Sequence, residues 1–544
     1  MKIYNKIFIG ILTLVVFSGC SKKLLNEDAP SIIVADNLFK DKAGFDAGIN
    51  GLYDEVRRSR SGNVLNAIGP MMTGPAYIGT DNAYANWRDV LEDIYNNWGA
   101  INNPSVDQFR LEWAWLYETI NSANTIIHRA ENPGVAWTDA DKNLTLAEAR
   151  AIRAWCYRHL TYMWGDVPLT LDESSGSNIK TDWVRAPVAD VRNAMEADWL
   201  YAEQYLPVTS KLQGKILKGA VQHYLAELYL AQGKNDMARD YALKVTTNAS
   251  YKLVTARYGI NAAKPGTPFT DMFLDGNSNR SQGNTEALWV MQAELNIIGG
   301  ESNNVMRRYW VNRYYSFTLK GTDGVSKSPF IVSAEFGGRG IGRYGPTKWA
   351  LSIYPAGDDR GSDFAWRFSY AINNPAGVPK GFNFGDIVQL DRTSNEKTLN
   401  PNWPCTRKWD YASPIDPTVD RAYNDQIYIR SAETYLLLAE AYFKLGDLGN
   451  AAITINALRT RAKAPIITGA QVTLDFILDE RSRELFSEEE RRYTLLRTGK
   501  FLERVRAYNV LAKGVVADRD LLYPIPQSVI DANLTLKMPQ NPGY

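Results

Sequence analysis

Two distant stretches of the chain repeat one pattern, LAELYLAQGKNDMA from Leu225 and LAEAYFKLGDLGNA from Leu438. In both, Leu-Ala-Glu precedes a tyrosine (Tyr229, Tyr442), a glycine follows four residues later (Gly233, Gly446), and an alanine five after that (Ala238, Ala451). This is the spacing of a tetratricopeptide helical hairpin. The glycine ends the first helix in a backbone geometry that other residues resist, and the small alanine lets the second helix pack closely. Such hairpins cannot bury their apolar faces alone, so they must stack. A chain built this way is mainly α.

Apolar residues at three-to-four spacing predict helices over Ala43–Arg58, Phe109–Ala130, Leu144–Trp164, Val188–Tyr205, Leu217–Gln232, Ile429–Leu445 and Leu474–Arg506. Hairpins are expected near 109–165, 188–247, 429–463 and 474–506. Two irregular, aromatic-rich regions interrupt them, near 59–103 and 250–425. Within the second, EALWVMQAEL and IVSAEFGG read as short strands, with no succession that would build a large sheet. The expected fold is a scaffold of helical hairpins overlaid by a loop-rich region with a few short strands. No Pro-rich, Gly/Ser-rich or single-charge linker divides it, so residues 41–544 read as one domain.

The N-terminus carries a different signal. Lys2 and Lys6 precede an apolar run from Ile7 to Phe17, broken only by Gly10 and Thr13. The run is too short to span a bilayer, which takes roughly 20 residues, and it has the layout of a signal peptide, residues 1–19. Phe17, Ser18, Gly19 and Cys20 resemble a bacterial lipobox, with Phe where Leu is usual. Cys20 is therefore expected to carry lipid at the mature N-terminus, with residues 20–40 as a tether. Cys156 and Cys405 read as unpaired packing residues.

Charge excludes one class of partner: 61 basic against 60 acidic residues leave a net of +1, so nothing suggests a nucleic acid. The three histidines, His128, His159 and His223, lie in helical patterns without paired ligand spacing, which argues against a zinc site or a Ser/His/Asp triad. The densest acidic cluster, Asp479, Glu480, Glu484 and Glu488 to Glu490, is interleaved with arginines at helical spacings such as Asp479 to Arg483 and reads as paired helix charges. DGNSNRSQGNTE mimics a calcium loop through Asp275, Asn277, Asn279 and Glu286. Arg280 stands where that loop needs glycine, and strand, not helix, follows. No cofactor or metal is expected.

LAEARAIRAWCYRHLTYMWGDVPL, YIRSAETYLLLAEAYFKLGD, LDERSRELFSEEERRYTLLRTGK and the ending LYPIPQSVIDANLTLKMPQNPGY, in this order, resemble the RagB/SusD family of nutrient-binding outer-membrane lipoproteins. The resemblance runs from Cys20 to Tyr544; Glu490 departs from it, occupying a place where the family commonly has Gly. It implies a tetratricopeptide-like body under a loop-rich portion. It also implies binding of a nutrient, usually a glycan, at the surface of a Bacteroidetes-type cell, as a lid over a SusC-like TonB-dependent outer-membrane transporter. A lipid on Cys20 would tether that lid.

A sugar offers an apolar C–H face and a hydroxyl rim, matched by flat rings and planar polar groups. The loop YIGTDNAYANWRD supplies Tyr77, Asp81, Asn82, Tyr84, Asn86, Trp87 and Arg88, with Trp98 close behind. The second region supplies Tyr309, Trp310, Tyr314, Tyr315 and Trp349. Trp87 and Trp310 are the foremost candidates, because indole has the largest flat face. The expected function is capture of oligosaccharides without cleavage; a peptide-type nutrient and a glycoside hydrolase on a helical scaffold are the alternatives, since two carboxylates suffice for glycoside hydrolysis.

Cys20→Ala is expected to release the mature protein from the membrane, as read by detergent partitioning. Retention of the alanine variant with the outer membrane, in cells lacking the transporter, would overturn the anchor assignment.

Overall fold

The computed structural model describes residues 35–60, 73–86, 95–98, 102–175, 178–297, 299–300, 304–391 and 403–544; Cys20 and the leader lie outside them. The helices of seven residues or more are α1 (Lys42–Arg57), α2 (Asp107–Arg129), α3 (Asp139–Trp164), α4 (Val188–Tyr205), α5 (Lys218–Ala231), α6 (Asn235–Thr246), α7 (Ser431–Lys444), α8 (Leu448–Arg461), α9 (Leu474–Leu485), α10 (Arg491–Arg497) and α11 (Phe501–Tyr508). Several start where a side-chain oxygen can accept an otherwise unpaired backbone N–H. Asp41 caps α1 through Gly44, Thr138 caps α3 through Asp141, and Asp447 caps α8 through Asn450.

The two repeats form the expected hairpins, α5/α6 and α7/α8. Gly233 and Gly446 adopt φ of 74° and 79°, and in each turn the next N–H reaches back to the tyrosine carbonyl, Lys234 to Tyr229 and Asp447 to Tyr442, at 2.9 Å. That is the closure that lets a helix end without orphaned carbonyls. Ala238 and Ala451 are fully buried at the helix crossings. The stack runs α2, α3, α4, α5, α6, α7, each packed on the next, with α8 and α9 against α7. Along it, α3 is buried almost all round from Thr145 to Trp164. Buried ion pairs knit it to its neighbours, Arg153 with Asp198 of α4 and Arg158 with Glu227 of α5, each at 2.8 Å.

Adjacent members α6 and α7 are separated by most of the irregular sequence, so the loop-rich region is an insertion in the helical stack. Its ends are zipped together: β2 (Ala287–Met291) pairs antiparallel with β10 (Gln426–Arg430), and every residue of both strands is buried. Among the described residues between them lie short antiparallel pairs, β3 (Leu319–Lys320) with β4 (Ser326–Lys327), β6 (Trp366–Arg367) with β9 (Cys405–Thr406), and β7 (Ser369–Ala371) with β8 (Ile387–Gln389). The remaining pair joins the two irregular regions, β1 (Ala83–Ala85) with β5 (Tyr344–Pro346). The insertion has its own small core of Tyr314, Phe317, Phe330, Phe336, Tyr370, Ile372, Val388 and Leu390.

Three expectations are corrected. EALWVMQAEL contains a strand, but IVSAEFGG turns instead, because Gly337 and Gly338 take φ of 77° and 75°. The stretch Leu474–Arg506, read as one periodic run forming a helical hairpin, is three helices. It breaks at Phe486–Glu490, where Ser487 sits at φ 63°, and again at Gly499, φ 69°. That break turns the acidic cluster inward, and several of its pairs run between elements: Asp479 meets Arg504 of α11 and Glu488 meets Arg430 of β10, while Glu480 keeps Arg483 as a partner one turn away within α9. Glu490, at the position of the family departure, accepts from Arg158 and from the Tyr428 hydroxyl. Cys156 and Cys405 are buried and unpaired.

Glu484 is the centre of the network. Its carboxylate, fully buried, accepts from Arg430 at 2.6 Å, from Arg360 at 3.1 Å and from Arg461. Glu286 shares Arg430 and Arg461, and Glu480 shares Arg360 and pairs with Arg459. Burial alone would raise the Glu484 carboxyl, but the three guanidinium groups outweigh it and hold it well below the usual range. Burial likewise pushes Glu227 up, yet Arg158 lowers it to about 2. These groups contribute stability above about pH 4.5 that is lost as pH falls towards their folded values. Burial keeps His223 neutral, lowered from 6.5 to about 3; the unfolded chain takes up that proton below 6.5, so stability also falls between 6.5 and 3, by at most about 1.4 kcal/mol per pH unit.

Arg430→Leu is therefore expected to cost about 3–5 kcal/mol in urea denaturation, by stranding buried carboxylates. Arg239→Leu, which breaks pairs with exposed Asp236 and Asp240, should cost under about 1 kcal/mol. The melting temperature should decline from pH 6.5 downward and steepen below pH 4.5; a flat profile to pH 3 would contradict the assignment.

Candidate functional site

The β1/β5 ladder brings the two irregular regions onto one face. Ala83, Tyr84 and Ala85 pair with Pro346, Gly345 and Tyr344. Asn96 extends the ladder sideways by bonding both backbone groups of Ala85, at 3.1 and 2.7 Å. Asn86 donates to the Gly342 carbonyl at 2.9 Å, and its N–H reaches Arg343 O at 2.6 Å. The neighbouring segment 304–315 is locked in by close backbone approach. Ile341 and Gly342 donate to the Arg308 carbonyl, and a Cβ on Gly340 would lie 2.1 Å from the Val311 oxygen. Only glycine fits there.

Most of the expected ligand-binding residues prove to be the frame of this face. Trp310 is 2% exposed, edge-on to Tyr344 and Phe486 at 5.4 Å. Tyr309 is buried against Tyr344 at 4.7 Å. Tyr314 lies in the insertion's core, stacked on Tyr370, with its hydroxyl donating to the Gly338 carbonyl. Tyr84 packs against Gly345. Tyr77 and Asn82 are buried as well. Asp81 is fully buried and clamped by Arg491 at 2.6 and 2.8 Å and by Arg504 at 2.6 Å, so it is an ion-pair anchor. Trp98 belongs to another cluster, with Tyr95, Phe501 and Tyr523 around it and Arg492 over its ring. For these the correction has one cause: each ring or carboxylate is already covered by protein.

Two of the expected residues keep a face towards solvent. Tyr315 is half-buried between two guanidinium groups, Arg313 at 5.8 Å and Arg339 at 5.9 Å from its ring, and Arg339 also donates to its hydroxyl at 3.3 Å. That bond holds the Arg339 guanidinium above its ordinary range. Trp349, also half-buried, stacks on Tyr508 at 4.5 Å with planes 21° apart, and Arg504 lies over its ring. Trp87 and Arg88 lie outside the described residues.

Guanidinium groups also fasten the loops beneath. Arg307, fully buried, donates to the carbonyls of Tyr411, Val419 and Arg421, and burial lowers it to about 10. Arg308 pairs with Asp420 at 2.9 Å. The contributors that sequence reading passed over are Arg313, Arg339, Arg343 and Tyr508. The glycine-dense run GGRGIGRYG was the available signal, since glycines let the two arginines in it ride close to a neighbouring backbone. Such a face can hold a flat apolar ring against Tyr315 or Trp349 while planar donors reach oxygens at its rim.

Three of the four calcium-like residues are engaged elsewhere: Glu286 by Arg430 and Arg461, Asn279 by Asp425, and Asn277 by the Ile260 N–H and the Asp271 carbonyl. Among the described residues no three His, Cys, Asp or Glu side chains gather as a metal group, and no helix is long and apolar enough to cross a membrane.

Comparison with known proteins places this architecture. Residues 285–544 match the model of the SusD family, and residues 65–230 match a second model described as starch-binding associating with outer membrane. SusD-like protein P2 of Formosa agariphila is 26% identical over the full length of both chains. The starch-binding protein SusD of Bacteroides thetaiotaomicron is 36% identical over 144 residues, 25% of each chain. Among solved structures, a laminarin-binding SusD-like protein superposes with a TM-score of 0.69 at 21% identity, covering 93% of this chain and 100% of that one. Two family matches, over residues 65–230 and 285–544, a relative aligned end to end and a shared fold lead to one conclusion: the chain belongs to the SusD family, also called RagB/SusD.

Proposed function

We propose that this protein captures oligosaccharides at the cell surface and passes them to a SusC-like TonB-dependent transporter, held at the outer membrane by lipid on Cys20. The observation that carries the reading is the loop-rich face, where Tyr315 between Arg313 and Arg339, and the Trp349–Tyr508 stack, keep part of their ring surface open. Rings flanked by planar donors suit a pyranose, and relatives named for binding starch and laminarin make a glycan the first class to test. Trp87 and Arg88, which directly follow Asn86 in the sequence, are included in the proposal.

Binding without cleavage is part of the proposal. A retaining or inverting hydrolase needs a carboxylic acid kept protonated beside the scissile bond. The densest carboxylate cluster of this chain instead lies inside the protein: Glu480, Glu484 and Glu488 are held ionised by arginines and, for Glu488, Lys408. Burial raises other carboxyls, among them Glu433 (to about 7), Glu112 and Glu148, but these are tied inside the protein to Arg481, to Gln108, and to Tyr53 and Lys215 respectively. The chemistry left to the exposed rings is adsorption.

Calorimetry against starch-, laminarin- and other glycan-derived oligosaccharides is expected to give micromolar to millimolar binding. Tyr315→Ala and Trp349→Ala should each weaken it about thirtyfold, the loss of one anchor worth on the order of 2 kcal/mol. Unchanged affinity in both would sink the site assignment, and shortened sugars after long incubation would replace the binder with a hydrolase. Trp310→Ala should act on stability instead, lowering it by about 3–5 kcal/mol in urea. Solubilisation of native membranes in mild detergent should recover the transporter with this protein; recovery as a free monomer while the transporter is present would count against the pairing.

A further inference from the structure

A second concavity lies away from the β1/β5 face, built from α2, the loop after α3 and the C-terminal segment. None of these contributes to the loop-rich face. The cavity measures about 490 Å³, within the range of small-molecule sites. Its walls are aromatic: Trp113 and Tyr117 lie 5.1 Å apart on α2, and Trp183 closes the side. Met538 forms buried apolar lining, and Glu118, Lys180 and Ser528 bring polar groups to it.

The walls are held in place before any ligand arrives. Trp183 is half-buried, and its backbone is gripped from both sides by Asn533, which accepts from Trp183 N at 2.6 Å and donates to Trp183 O at 2.9 Å. Lys180 lies over the indole at 4.9 Å. Asn121 bonds both backbone groups of Ser174, at 2.7 and 3.2 Å, and Asn124 donates to the carbonyls of Thr170 and Asp172. The Tyr117 hydroxyl is spent on the Pro168 carbonyl at 2.7 Å, so that ring offers surface and no donor. Rings fixed in this way lose little conformational entropy on binding.

We propose that this cavity is a second saccharide subsite, taking one end or branch of a neutral glycan by stacking a pyranose on Trp183. Three rings supply the apolar wall, and a carboxylate and an ammonium on one lining suit hydroxyl groups, which donate to Glu118 and accept from Lys180. A polyanionic sugar would meet Glu118 unfavourably. The inference rests on the reading of the protein as a glycan binder, and adds a point of attachment on the helical body. Two weak contacts along one polymer raise overall avidity without any new interaction at either.

Saturation-transfer difference spectra with the methyl glycosides of glucose, galactose, mannose and xylose, each at about 10 mM to reach millimolar binding, test it on the full mature chain. Transfer to ring protons of at least one glycoside is expected in a Tyr315→Ala, Trp349→Ala double variant, which lacks the loop-face rings, and is abolished when Trp183→Ala, or Ser528→Trp, which fills the cavity from an exposed position, is added to that background. Circular dichroism of the variants should match wild type. In that background, transfer that survives both cavity substitutions, or no transfer from any glycoside, overturns the subsite. Oligosaccharide binding lost only in the loop-face double variant would leave the proposed function standing and this inference refuted; binding lost only in the cavity variants would do the reverse.

Discussion

The fold depends on one buried carboxylate. Glu484 at the end of α9 receives Arg360 from the insertion, Arg430 from the last residue of β10 and Arg461 from the end of α8. These arginines come from three parts of the chain that share no local structure. Each charge is costly to remove from water, and none is stable there unless the others arrive together. The network therefore acts as a register between the helical stack and the loop-rich insertion. With Glu286 and Glu480 completing the pairs, the position of the insertion over α7–α9 is decided by charge geometry more than by continuous apolar packing.

A second set of buried pairs does the same for the first irregular region. Asp81 is clamped by Arg491 of α10 and Arg504 of α11, which fixes the chain immediately before β1. That strand in turn fixes β5 and the face beside it. Arg504 also covers the Trp349 ring, so one guanidinium links a structural anchor to a ring that is open to a ligand. The face is thus rigid from below, while its upper surface is made of a few side chains on glycine-supported loops. Rigid support under variable loops is how binding sites change specificity without changing fold.

The insertion explains why the helical stack can carry so much irregular chain. β2 and β10 bring the two ends of the loop-rich segment side by side, so α6 and α7 pack as though they were consecutive. The insertion then needs only a modest core of its own, and it has one around Tyr314, Phe330 and Tyr370. Aromatic residues are abundant here, 15 Trp and 30 Tyr in the chain, because short strands and loops offer little regular surface to bury and large rings supply much apolar area per residue.

The helices and their turns were legible in the sequence, because periodicity, caps and the Tyr-Gly-Ala spacing are local signals. Gly233 and Gly446 announce their turns whatever surrounds them. The break after Leu485 was not legible, since Ser487 takes a left-handed conformation under the pull of distant partners that draw Glu488, Glu489 and Glu490 in separate directions. Which rings face solvent was also beyond the sequence. Trp310 and Trp349 stand in similar mixtures of aromatic and polar neighbours, yet one is enclosed by Tyr344 and Phe486 and the other is half-open on Tyr508. An indole can cover its apolar face with a protein interior or with a sugar. Only the tertiary structure, by bringing partners from distant parts of the chain, decides which of the two covers it.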